Sequence, residues 1–159
     1  MSVDSAISRL NPLVVAVLRS PFHWVMSAGL VLITVTGRRS GRRYTIPVGY
    51  QRDGDVLTVM VSEAAKKSWW RNYREPGPVE LRLRGRDTRG RAELVRPDSE
   101  AFRSLSEKTL RRAPWLGRVF GIAYDRRAGL SEEQLEALGR SIAILRIDLE
   151  MSAATGSTP

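Results

Sequence analysis

A chain of 159 residues, 42% hydrophobic and 27% charged, has the size and composition of one globular domain able to bury about two-thirds of its unfolded surface. It has no cysteine and one histidine, which excludes disulfides, thiolate or histidine-rich metal centres and a cysteine nucleophile. The net charge of +9 is concentrated, because residues 37–91 hold 14 Arg or Lys against six Asp or Glu, and that stretch suits an anionic partner.

Apolar residues Ile7, Leu10, Val14, Val17 and Leu18 fall at helical spacing, which predicts an N-terminal helical segment within residues 1–28, interrupted at Pro12. Its apolar core is too short for a spanning helix or a secretory signal, and Asp4 precedes it, so the expected location is cytoplasmic. From residue 30 the texture changes to β-branched runs punctuated by turn residues. Strands are expected at 30–36, 44–51 and 56–61, joined by a glycine-bounded turn at 37–41 and by Asp53-Gly54, as an antiparallel meander. Residues 67–74 read as a short helix ended by Glu75-Pro76-Gly77-Pro78. Strands at 79–84 and 88–95, turned by Gly85-Arg86-Asp87, make a basic hairpin with one wet face. Pro97-Asp98-Ser99-Glu100 and Ser131-Glu132-Glu133-Gln134 each open an N-capped helix, reaching Arg112 and about Arg140. Residues 142–149 alternate as a last strand, and residues 151–159 are small and polar enough to be a disordered tail. Six strands with edge helices and no internal boundary predict a single α+β domain over residues 1–150, built on an antiparallel six-stranded β-barrel.

Two stretches carry chemistry. Thr36-Gly37-Arg38-Arg39-Ser40-Gly41-Arg42-Arg43 puts backbone N–H groups, a hydroxyl and four guanidinium groups on one tight turn, an anion nest whose forked donors match phosphate or carboxylate oxygens. The plainer reading is a solvated hairpin tip. Lys66-Lys67-Ser68-Trp69-Trp70-Arg71-Asn72 sets two indoles between cations. One indole can enter the core while its neighbour faces a cleft and stacks on a flat ring; alternatively both pack the mouth of the barrel.

In this order and spacing the two stretches, with RDGD and a strand ending at Ser62 between them, resemble the deazaflavin-dependent nitroreductases of actinobacteria, which use the cofactor F420. The likeness spans roughly residues 30–94. It implies a split β-barrel (of the FMN-binding split-barrel type) and hydride transfer between reduced F420 and a small electron-poor, hydrophobic substrate such as a quinone, enone or nitro compound, with FMN the less favoured cofactor. Carried over residue by residue, it assigns cofactor contacts to Arg38, Arg39, Ser40, Ser62, Lys67, Trp69 and Asn72, and the neighbouring Gly41, Arg42, Arg43, Pro47 and Trp70 join that set. Tyr44 and Glu63 stand where better-known members carry arginine and lysine, which implies a rearranged phosphate grip, and Gly49 replaces a tyrosine, which implies a wider substrate end. Candidate donors to the substrate's developing anion are Ser62 and Tyr124, the latter in the 121–129 loop.

Two other function classes stay open on the sequence. Relatives of this fold bind lipid, haem or flavin without catalysis. Counterion-driven nucleic-acid binding by residues 81–91 is the weaker alternative, because that stretch has no aromatic to stack on bases, and no specific nucleic acid is expected. An apolar N-terminal helix would suit either a homodimer or a peripheral membrane contact.

Overall fold

The computed structural model describes residues 29–37 and 39–150. The expected N-terminal helix, Arg38 and the expected disordered tail lie outside the described residues. Strands β1 (Leu30–Thr36), β2 (Arg43–Asp53), β3 (Val56–Val61), β4 (Gly77–Leu83), β5 (Arg86–Val95) and β6 (Ala143–Leu149) form a closed barrel in the order β1-β2-β3-β6-β5-β4. Every pairing is antiparallel. Alternation along each strand decides what goes inside: Val31, Ile33 and Val35 of β1, Leu57 and Val59 of β3 and Leu145 and Ile147 of β6 fill the interior. Each contributes roughly 1.5–3 kcal/mol by burial, so a one-residue slip, which would turn them all outward, is strongly disfavoured.

Three helices lie over the outer face of β3, β5 and β6: α1 (Glu100–Arg112), α2 (Leu116–Val119) and α3 (Glu132–Ser141). Ser99 Oγ accepts from the Phe102 N–H at 3.1 Å, and Ser131 and Gln134 exchange side-chain and backbone bonds as a capping box. Both caps satisfy donors that the first helical turn leaves unpaired. A second apolar cluster, including Phe102, Leu110, Leu135 and Leu138 around Ile144, joins these helices to the barrel wall.

Two local expectations are corrected. The helix expected at 67–74 is a pair of 3₁₀ turns, Ala64–Lys66 and Trp69–Tyr73, with Lys67 extended between them. Glu63, at φ 49°, turns the chain sharply off β3, and the second piece is too short to sustain an α-helix. The β4–β5 turn is Arg84-Gly85, both at positive φ, as a two-residue hairpin requires, so β5 begins at Arg86. Pro78 falls inside β4 because β4 meets β1 only from Glu80 to Arg82 and leaves Pro78 unpaired on that side.

The barrel is split on one side. β2 pairs with β3 only from Tyr50 to Asp53, so its first half, from Arg43 to Gly49, has β1 as its sole strand neighbour among the described residues. Pro47, which has no N–H to donate, is tolerated mid-strand for that reason. The inward residues of this half are incompletely covered: Ile46 and Val48 are half-buried and Tyr44 is 40% exposed. The inward residues of β1 and β3 are at most 4% exposed.

Candidate functional site

The turn between β1 and β2 is folded onto itself. Gly41, at φ +66°, occupies the left-handed conformation that glycine adopts without strain. Its N–H donates to the Gly37 carbonyl, the Gly37 N–H donates to the Arg42 carbonyl, and the Arg42 N–H donates to Ser40 Oγ at 3.3 Å. The expected nest of free backbone donors is therefore corrected, since the N–H groups of Gly37, Gly41 and Arg42 are used internally. What the turn offers an anion is side chains: exposed Arg39 and Arg42 and the Ser40 hydroxyl proton, whose oxygen already serves as acceptor. Arg43 leans the other way, in an ion pair with Glu80 of β4. It shares a hollow of about 590 Å³ at the splayed end of β1 and β4 with Thr36, Asn72 and Tyr73.

Past the open half of β2 lie the 3₁₀ turns. Trp69 is buried in the barrel interior, whereas Trp70 is half-buried at its rim. The Trp70 Nε1–H donates to the Ala64 carbonyl at 2.9 Å, and the Arg71 and Arg74 guanidinium groups lie 5.2 and 5.9 Å from its ring centre, within cation–π range. Lys67 is half-buried between the two turns. Glu63 does not stand as an isolated repulsive charge, because Lys66 bridges it at 2.9 Å and holds its carboxyl below the ordinary range. Tyr73 is buried, and its phenol is pushed up to about 12, first by desolvation and then by the nearby Tyr44.

Ser62 and Gly49 meet on the outer face of the split. Together with Met60 they line a cleft of about 290 Å³ closed from above by Trp115, Val119 and Phe120. The absence of a side chain at Gly49 opens its floor. Trp115 and Val119 are 66% and 56% exposed, so the cleft has an apolar lip in contact with solvent. The sequence reading missed this lip. Its signal was the apolar spacing after Pro114, in a helix of only four residues. Tyr124 lies elsewhere, packed against Gly117 and beside Glu107, and is not part of this lining. Burial, then the Glu107 charge, raise its phenol above the ordinary value.

The sequence pattern of the F420H(2)-dependent quinone reductase family matches residues 20–115, well over half of the chain. The chain belongs to that family. F420 is accordingly its cofactor and reduction its chemistry. No curated protein matches it in sequence. Among solved structures, an F420-H2 dependent reductase (FDR-A) is 16% identical, with a TM-score of 0.52, covering 76% of this chain and 94% of that one. A structure described as a domain-swapped dimer is 14% identical, with a TM-score of 0.53, covering 80% and 99%. At such identities these two establish the split-barrel fold that this quinone reductase family member shares with them. Among the described residues no helix is long and apolar enough to cross a membrane.

Proposed function

We propose that this F420-dependent reductase works at the split between β2 and β3, delivering a hydride to a planar hydrophobic acceptor of the quinone, enone or nitro class lodged between Gly49, Ser62 and the Trp115 lip. The observation that carries the reading is the half-open β2 wall, flanked at one end by the Arg39 and Arg42 guanidinium groups, which have no carboxylate partner among the described residues, and on its outer face by the apolar cleft. The residues present fit a cofactor with a flat ring and an anionic tail. Arg39, Ser40 and Arg42, with Arg38 and Gly41 of the same turn, would hold the tail. Pro47, Lys67, Trp70 and Asn72 would border the ring, Trp69 would support Trp70 from the core, and Arg43 would add charge once released from Glu80.

Reduced F420, when bound, supplies the hydride; the chain supplies position, shielding and a hydrogen bond. Ser62 Oγ–H can donate to the acceptor oxygen as negative charge grows there, and Ser62 is favoured over Tyr124 for this because it lines the cleft. Trp115, Val119 and Phe120 keep water from the reacting face.

The test is a fluorescence titration with F420, followed by oxidation of reduced F420 in the presence of 1,4-naphthoquinone. Micromolar binding and quinone-dependent oxidation are expected, and Ser62→Ala should lower kcat about tenfold with little change in F420 affinity. Absence of quinone-dependent oxidation despite F420 binding would remove the acceptor assignment.

A further inference from the structure

The wall above the acceptor cleft is thin. α2 has four residues, too few to hold a helical turn by themselves. Yet Trp115, Leu116, Val119 and Phe120, on this turn and its flanks, line the cleft together with Gly49 and Ser62. What steadies the turn lies behind it, in the 121–130 loop. The Ile122 N–H donates to the Gly117 carbonyl at 2.8 Å. Gly117 is buried so closely against the loop that a Cβ there would lie 3.0 Å from Tyr124 Cβ, which puts Tyr124 directly against the back of α2.

The loop is held in turn by one side chain of α1. Glu107 Oε1 accepts from the Leu130 N–H at 2.7 Å, and Gly129, at φ +73°, passes so near that a Cβ there would lie 2.6 Å from the same oxygen. The other oxygen, Oε2, is buried and has no hydrogen-bond partner among the described residues, and the Tyr124 hydroxyl is buried and orphaned in the same way. The two orphans are complementary, since an ionised carboxylate only accepts and a phenol can donate. They are also neighbours: after burial, the Glu107 charge is the largest influence on the Tyr124 phenol, raising it against the opposing charges of Arg111 and Arg126. Leaving both atoms unpaired away from water is unfavourable, and one hydrogen bond between them removes both penalties.

We propose that the Tyr124 hydroxyl donates to Glu107 Oε2, and that this buried strut fixes how α2 stands over the cleft, making Glu107 and Tyr124 positioning residues for the acceptor. The inference rests on the function proposed above. Neither residue lines the cleft; both act through Gly117. A lip held in place before the acceptor arrives lowers the ordering cost of binding, so loss of the strut should weaken acceptor binding and leave the chemical step intact.

The decisive variant is Tyr124→Phe, which removes the hydroxyl and keeps the ring on Gly117. Binding of 1,4-naphthoquinone to the full chain, measured by calorimetry, is expected to weaken about fivefold, with a matching rise in KM, kcat within about twofold of wild type and F420 affinity unchanged. Glu107→Ala should weaken quinone binding at least as much, and adding Tyr124→Phe to it should weaken binding no further, because both substitutions break one bond. Unchanged quinone binding in Tyr124→Phe overturns the proposal, since a ring that merely packs is the same in both chains. So do additive losses in the double variant, or an equal loss of F420 affinity, which marks general loosening of the fold. The function proposed above fails differently. A wild-type chain that binds quinone without reducing it, and binds it less tightly as Tyr124→Phe, keeps the strut and removes the reductase assignment; a wild-type chain that binds no quinone removes the acceptor cleft and the strut's role with it.

Discussion

Two arginine-rich hairpins stand on this barrel, and their strands and turns hold the arginines differently. In the β4–β5 hairpin the outward arginines face acids across the strands: Arg82 bridges Asp87 at 3.0 Å, Arg89 stands opposite Glu80, and Arg91 stands opposite Asp148 of β6. Among the described residues only Arg82 of these holds its acid as an ion pair, because Glu80 is bonded to Arg43 and Asp148 to Arg146, so the strand arginines share their acids with neighbours on the sheet. At the β1–β2 turn no carboxylate pairs with Arg39 or Arg42 among the described residues. The register thus separates strand arginines that stand opposite acids from the turn arginines Arg39 and Arg42, which have no such neighbour among the described residues.

The largest expected effect breaks the comparison directly. Arg39→Ala/Arg42→Ala should weaken F420 binding about a hundredfold, since each lost charge-assisted bond costs on the order of tenfold. Arg82→Ala and Arg91→Ala should change it less than about twofold, because exposed ion pairs are worth little. Fluorescence titration at two salt concentrations reads both, and equal losses in the two hairpins would erase the distinction.

A second substitution sharpens the structural side. A Cβ at Gly90 would lie 2.7 Å from the Asp148 carbonyl oxygen and 3.0 Å from Ile147 Cγ2, so β5 approaches β6 there only because glycine is present. Gly90→Ala should cost about 2 kcal/mol of stability, read as a lower Tm, while the folded protein keeps its F420 affinity. That is the behaviour of a hairpin whose job is to close the barrel.

Legibility in the sequence followed the range of the interactions. β1 and β3 were bounded correctly at Leu30–Thr36 and Val56–Val61, because alternation and turn residues are local signals. α1 and α3 were legible through the capping stretches at residues 97–100 and 131–134, in which the Ser99 and Ser131 hydroxyls cap the next turn. The strand order, with β6 inserted between β3 and β5, depends on pairing between distant segments that periodicity does not encode. Pro47 marked the split in plain sight, yet its meaning required knowing that β2 has one neighbour at that point. The cleft was the least legible part: Gly49 and Ser62 were singled out through family likeness, but Trp115 and Val119 sit on a single helical turn about 50 residues away in sequence, and only the packing of α1 on the sheet brings them together.

The smallest effect is confined to alkaline pH and isolates the β2 side of the comparison. Tyr73 lies behind the open half of β2, and burial, with a smaller contribution from Tyr44, raises its phenol from 10.0 to about 12. Between those values the folded chain keeps a proton that the unfolded chain has released, so the unfolded state binds fewer protons and stability falls as pH rises. Below pH 10 both states are protonated and the residue contributes no slope. Denaturant unfolding across this window should show the decline in the wild-type chain, a shallower one in Tyr73→Phe, and only a slight change in Tyr44→Phe. A slope insensitive to Tyr73→Phe would mean that the alkaline instability arises elsewhere than at this buried phenol.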